Sequence, residues 1–333
     1  MKILLDKSTE NHKGLGRFTA TLINSLNDLP VTLKTYSRKG PIYHPLAFMN
    51  FVNLHDWEIY ITPHFILPLN ILFSGKPIYI TIHDIIPFKK FNIKFFILFS
   101  FLSIILKFQN IKILTPSITS KNKLKILFKI DENKIFVVNN EARIMESSNN
   151  KKNNTINIDK NDKDIIDILY IGNLKKHKNV NLIIKACELI SKIKKKEIKL
   201  SIVGGFDTQS SIKENLSLDF DFINFHGAIT DDEINFLIDN ADYLVQPSFD
   251  EGFGIPILEA LVKNKKVICS DIEVFHELYE EYSIFVNYYD PVLLAEIICN
   301  DYGDNKNKSF FDSITQKYSL TNIKKQLSIA LNL

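Results

Sequence analysis

The stretch PSFDEGFGIPILEA, residues 247–260, decides how the chain is read. It follows ADYLVQ, a short apolar run, and leads into ILEALV with helical spacing, so it predicts strand, glycine-containing turn, helix. Pro256 suits a first helical position, where its fixed φ and missing N–H cost nothing. Gly252 and Gly254 let the backbone approach a ligand closely and offer N–H groups with no side chain in the way. Glu251 precedes the turn and Glu259 falls in the first helical turn. Both can then face the crevice outside the carboxyl end of the strand, where open α/β sheets bind ligands. Each glutamate taken alone has an ordinary structural use, such as countering a helix dipole.

Working outward, the 333 residues give room for two domains, each with its own core. KILL (2–5), VTLKTYS (31–37), WEIYIT (57–62), PIYITIHD (77–84), ILTPS (113–117) and KIFVVNNEA (134–142) form one strand series. The polar run ESSNNKKNNTINIDKNDKD (146–164) has almost nothing to bury and reads as a linker. DILYIG (167–172) then restarts the pattern, continued by KLSIVGG (199–205), FINFHGAI (222–229) and KKVICSDI (265–272). Two successive series, each opening on strand, turn and helix, predict two doubly wound Rossmann-like α/β domains. The expected division is 1–145, a linker at 146–165, a second domain at 166–315, and a last amphipathic helix at 316–333.

Within this frame, several residues are candidates for chemistry. Gly14, Gly16 and Arg17 follow the first strand, where backbone N–H groups and a helix N-terminus can cradle a phosphate; a plain turn explains them equally well. His83 ends a strand on the face where α/β sites are built, and Lys175 to Lys178 follow the strand at 167–172. Residues 1–145 carry 19 Lys/Arg against 9 Asp/Glu, or +10, leaving 22 against 29, or −7, for the remainder. A basic half suits an anionic partner such as a phosphate-bearing lipid or membrane surface. FNIKFFILFSFLSIILKFQN (91–110) is apolar on nearly every face across 95–106, too short for a span of about 20 residues. It is either a buried helix of the first domain or an interfacial helix flanked by Lys89, Lys90, Lys94 and Lys107. Cys187, Cys269 and Cys299 lack metal-ligand spacing and read as buried apolar residues in a reducing compartment. MKILLDKST has no signal-peptide apolar region, which gives the expectation of a cytoplasmic protein, with a peripheral contact at the inner face of the membrane as the alternative placement.

At every defining position, residues 247–260 resemble PSxxEGFGxPxLEA, the motif of family 4 of the retaining glycosyltransferases, also called glycosyl transferases group 1. TIHDIIPF, TPSITSKNKL and LYIGNLKKHKN are similar to further segments of that family, and the likeness covers nearly the whole chain. It implies the GT-B architecture, two domains facing a central cleft with the last helix returning to the first. It also implies transfer of a hexose from a nucleoside diphosphate sugar, with retention at the anomeric carbon and without a metal or other cofactor. TIHD and EVFHEL look most like mannosyltransferases of surface polysaccharide, O-antigen or capsule assembly, so GDP-mannose is the first donor to expect. The acceptor would be a saccharide or a lipid-linked saccharide, and nucleic acid is not an expected partner. By resemblance Lys178 binds the donor diphosphate, Glu259 the nucleotide ribose and Glu251 the donor sugar. The backbone of Phe253, Gly254 and Ile255 contacts that sugar, and His83 faces sugar and phosphate. Gly14, Gly16 and Arg17 lie near the diphosphate. The chain departs from the family at Asn173, where many relatives carry an Arg, and at Asn264 and Lys266, where they carry Gly and Pro. A nucleotide-sugar epimerase on the same fold and a noncatalytic sugar-nucleotide-binding scaffold are the rival readings.

Overall fold

The computed structural model describes residues 1–37, 52, 56–89, 93–142, 165–193, 197–205, 221–301 and 308–333. The linker expected at 146–164 lies outside the described residues. The chain forms two compact units: Met1–Ala142 with Glu251–Phe253 and Gln316–Leu333, and Arg143–Asp250 with Gly254–Thr315.

In the first unit, β1 (Lys2–Asp6), β2 (Thr32–Tyr36), β3 (Ile59–Thr62), β4 (Ile78–Thr81), β5 (Ile111–Thr115) and β6 (Ile135–Val137) make a parallel sheet of order β2-β1-β3-β4-β5-β6. The inner strands are covered on both faces, which is why β1, β3 and β4 are buried almost throughout and do not alternate, whereas the edge strand β2 is largely exposed. Ile3 and Leu5 point to one core and Leu4 to the other, as a two-residue period requires. The helix Lys13–Asn27 sends Phe18, Leu22 and Leu26 into the first of these cores. Ile323, Leu327 and Ala330 of the helix Leu320–Leu331 pack into the same core, Tyr79 donates its hydroxyl to Ala330 O at 2.7 Å, and Gln326 and Asn139 exchange two hydrogen bonds. The last helix thus belongs to the first unit.

The helix Ile93–Ile105 covers the other face with Leu102 and Ile105, followed by Leu106 in the next turn, while Phe96, Ile97 and Ile104 face outward. It is a core helix on one side only. The side chains of Lys89, Lys90, Lys94 and Phe95 lie outside the described residues.

In the second unit, β7 (Ile165–Ile171), β8 (Glu197–Val203), β9 (Ile223–Gly227), β10 (Tyr243–Gln246), β11 (Lys266–Ser270) and β12 (Ile284–Val286) form a parallel sheet of order β12-β11-β10-β7-β8-β9. The helix Val180–Ile193 buries Ile183, Cys187 and Ile190 against Ile168, Leu200 and Ile202. Asp290 accepts from the N–H groups of Val292 and Leu293 and starts the helix Pro291–Cys299. Asn264 takes φ 59°, a left-handed conformation that asparagine tolerates better than most residues, so the turn before β11 forms without the expected glycine. Among the described residues no helix is long and apolar enough to cross a membrane.

Candidate active site

A doubly wound sheet binds ligands where its strand order reverses. In the second unit that point lies between β7 and β10, which pair directly. The loop after β7 runs through Asn173 to a 3₁₀ turn at Lys176–Lys178; the loop after β10 is the 247–254 stretch. They are joined where Phe249 N–H donates to His177 O at 2.8 Å. The half-buried Lys178 therefore stands beside the start of that stretch. Asn179 ends the turn at φ 54° and ties it to the loop after β12 by donating from Nδ2 to Tyr288 O at 2.7 Å. Asn173 is exposed and its Oδ1 accepts from Lys175 N–H at 3.3 Å, so it shapes the turn and carries no charge to the site.

Gly254 is the N-cap of the helix Ile255–Leu261 at φ 85°, a conformation that any side chain would strain, and a Cβ there would also lie 2.8 Å from Phe275. The helix starts at Ile255, which is half-buried and precedes Pro256. Glu259 is accordingly its fifth residue, in the second turn and not, as the spacing suggests, in the first.

Residues Glu251–Phe253 belong to the first unit, and sequence spacing gave no sign of this. Glu251 and Phe253 are buried there, Phe253 edge-on to Tyr318 at 5.5 Å. Gly252 sits so close to the His83 carbonyl that an added Cβ would collide with it. Its own carbonyl accepts from Ser117 Oγ at 2.8 Å, while Ser120 Oγ lies 3.4 Å from His83 O. Ser117 is also the N-cap of the helix Ile118–Phe128, accepting from Ser120 N–H.

The His83 ring places Nε2 3.0 Å from Pro63 O and stands edge-on to Phe18 at 4.9 Å. A carbonyl only accepts, so Nε2 carries the proton and Nδ1 keeps its lone pair. Burial, with a smaller push from His64, lowers its pKa to about 4 against the opposing effect of the Pro63 hydrogen bond. The ring is neutral at physiological pH. Such a group suits a sugar hydroxyl as hydrogen-bond acceptor and does not suit a phosphate as countercharge.

Gly14, Gly16 and Arg17 are the second, fourth and fifth residues of the helix Lys13–Asn27, so the expected glycine loop is its first turn. Gly16 is kept small by the backbone of Thr9 and Glu10, which a Cβ would overlap.

Two groups escaped the sequence reading. Asp6 ends β1 at the first sheet's own reversal, between β1 and β3, and its buried carboxylate lies 3.3 Å from His64 Nε2 and about as far from the hydroxyls of Tyr36 and Tyr60. Ile66 N–H donates to His64 Nδ1, so His64 presents Nε2–H to Asp6. The signal was present as a carboxylate closing an otherwise apolar strand, but apart from Ser8 its partners lie 30 to 58 residues away. Ser117 and Ser120 are the second group. Among the described residues no cluster of three or more His, Cys, Asp or Glu side chains could hold a metal ion.

Two doubly wound parallel units, with the glycine–glutamate stretch at the reversal point of the second, give the GT-B architecture. Comparison with known proteins agrees: residues 151–300 are a glycosyl transferases group 1 domain. The chain is 28% identical over 321 residues to the O-antigen chain mannosyltransferase RfbU of Salmonella typhimurium, covering 94% of this chain and 84% of that protein. Its fold is similar to that of Anabaena Alr3699/HepE, crystallised with UDP and glucose, at 16% identity and a TM-score of 0.70, covering 100% of this chain and 99% of that one. Sucrose-phosphate synthase from Thermosynechococcus elongatus is equally similar, at 14% identity and a TM-score of 0.70 over 100% and 98% of the two chains. At such identities the two structures speak for the fold alone.

Proposed function

We propose that the protein is a retaining, metal-independent hexosyltransferase that moves mannose from GDP-mannose to a saccharide or lipid-linked saccharide in O-antigen or related surface polysaccharide assembly. The reaction takes place in the cytoplasm, at the inner face of the membrane. The observation that carries the reading is the Phe249 N–H to His177 O bond, which gathers the lysine turn and the 247–254 stretch at one reversal point. Mannose as the sugar is supported by the likeness to the Salmonella mannosyltransferase along nearly the whole chain.

In the transfer, the bond from the anomeric carbon to the diphosphate breaks and its electron pair leaves with the diphosphate. An acceptor hydroxyl oxygen forms the new bond and gives up its proton to the departing diphosphate oxygen. Negative charge therefore grows on the leaving group, and donors fixed in advance stabilise it most cheaply. Lys178 supplies the cation. Glu259 binds the ribose hydroxyls, Glu251 and the backbone from Phe253 to Ile255 hold the hexose, and His83 Nδ1 accepts from a sugar hydroxyl. The helix Lys13–Asn27, with Gly14, Gly16 and Arg17 at its start, adds a positive dipole end.

Incubating the protein with a panel of nucleotide sugars and acceptors, and reading the anomeric configuration of the product by NMR, tests the reading. Transfer from GDP-mannose with an α product is expected. An inverted product, or turnover of another sugar nucleotide in preference, would refute the corresponding part.

A further inference from the structure

We propose that Asp6, acting through His64, is the residue that positions the His83 ring. Asp6 and His64 are 0% and 1% exposed, so neither meets a substrate, whereas His83 is half-buried and can. A buried carboxylate is costly unless donors surround it, and leaving it with a partner missing is costlier still. β1 nevertheless ends on one, after Ile3, Leu4 and Leu5, at the reversal of the first sheet. Its Oδ1 accepts from the Ser8 N–H at 2.9 Å and from the Ser8 hydroxyl. Its Oδ2 faces the Nε2–H of His64 at 3.3 Å and the hydroxyls of Tyr60 and Tyr36 at 3.4 and 3.5 Å. The two tyrosines bond each other at 2.8 Å, which leaves one of their protons for the carboxylate.

Through His64 this anchorage reaches the bend after β3. Three successive carbonyls of that bend hold the end of β4: Thr62 O accepts from Thr81 Oγ1 at 2.8 Å, Pro63 O from His83 Nε2 at 3.0 Å and His64 O from Thr81 N–H at 3.3 Å. The His64 ring is held at Nδ1 by Ile66 N–H at 3.2 Å and at Nε2 by Asp6, so the bend cannot turn without giving up the carboxylate. From the other side, Thr115 Oγ1 donates to Ile82 O at 2.9 Å, which fixes the backbone before His83 and leaves the direction of the ring to Pro63 O. A second route starts at Ser8. The next residue, Thr9, bonds the hydroxyl of Thr19 at 2.6 Å, beside the Phe18 ring that His83 meets edge-on. One carboxylate thus stands behind both Pro63 O and Phe18, which hold the His83 ring. Asp6 is a positioning residue, and the inference rests on the proposed function only for what His83 meets, a sugar hydroxyl.

The test is NMR of the ring N–H protons in the full chain carrying nitrogen-labelled histidine. The His64 and His83 Nε2–H signals, assigned by their loss in His64→Gln and His83→Gln, are expected to exchange slowly with water, because each proton is held by a fixed acceptor. Asp6→Ala and His64→Leu should each speed exchange of the His83 proton at least about fivefold. His64→Gln, whose amide reaches Asp6 from the same place, should keep the His83 proton protected. Tyr36→Phe takes a hydroxyl from the same carboxylate and should lower the melting temperature without moving the His83 signal. Unchanged His83 exchange in folded Asp6→Ala and His64→Leu, or an equal change in Tyr36→Phe, overturns the proposal. Should the first two variants fail to fold, the wild type decides: rapid exchange at His64 or His83 overturns the proposal, and slow exchange at both, kept at His83 in His64→Gln, sustains it. In calorimetric titrations Asp6→Ala and His64→Leu should lose about fivefold in affinity for GDP-mannose and none for GDP, and an equal loss for GDP overturns the positioning role. A wild type that fails to bind GDP-mannose would refute the donor reading and leave the ring N–H result standing.

Discussion

Gly252 shows how one missing atom fixes a site. The His83 carbonyl occupies the space of a Cβ, and Ser117 holds the Gly252 carbonyl from the other side, so the residue has nowhere to retreat. Gly252→Ala should therefore cost roughly 1–3 kcal/mol of stability by forced displacement, and should lower transfer more than donor binding; unchanged melting and activity would show that the loop yields freely. Lys178→Ala should weaken binding of GDP-mannose far more than that of guanosine, measured by calorimetry, because a diphosphate is the charge-matched partner. Equal losses would place the lysine elsewhere. His83 makes a pH prediction. Its folded pKa of about 4 lies below the ordinary 6.5, so between these values the unfolded chain binds more protons. The stability conferred by burying the neutral ring is complete above pH 6.5 and is lost as pH falls toward 4. His83→Gln keeps a donor for Pro63 O and removes the titration, so its urea midpoint should fall less steeply over that window than the wild type's. Parallel curves would show that other groups govern the acid limb.

At the level of elements, Ser117 does two jobs that can be separated. As N-cap it accepts from Ser120 N–H, and as a donor it holds Gly252 O. Ser117→Ala loses both, with about 1 kcal/mol from the cap. Ser117→Asp restores the cap and cannot donate, so it should recover the melting temperature and not the transfer rate; recovery of both would leave Ser117 as a capping residue only. The strands themselves were legible, since runs such as KILL and PIYITIH are apolar on both faces, as a covered parallel sheet demands. So was the strand-turn-helix around Gly254. The helix at 93–105 was only half legible. Its sequence is apolar on nearly every side, and periodicity cannot choose a buried face where no polar face exists. Asn173 illustrates the opposite case, because a missing arginine is visible in sequence while the turn that its side chain supports is not.

Across the whole molecule, what sequence could not convey is contact between distant segments. Nothing in the spacing of Glu251 and Glu259 says that the first belongs with Met1–Ala142 and the second with Gly254–Thr315, because the chain changes unit for only three residues. Asp6 and His64 are likewise paired only by the order of β1 and β3 in the sheet. The charge division of +10 and −7 was legible, and it sharpens one question about the donor site. The unit that carries Lys178 is acidic overall, so under the proposed function a donor diphosphate would be met by local cations and not by a broad positive field. Lys175, Lys176 and Lys178 in the turn after β7 are the cations that the second sheet's reversal point supplies. Transfer should then persist in excess EDTA and fall with rising salt, as few-charge recognition does. Lys176→Ala, at an exposed position, should cost less than Lys178→Ala in donor affinity. A strict requirement for added Mg²⁺ or Mn²⁺, with activity restored by the metal alone, would show that these lysines do not carry the leaving group's charge and would reassign them to the solvated surface of the turn.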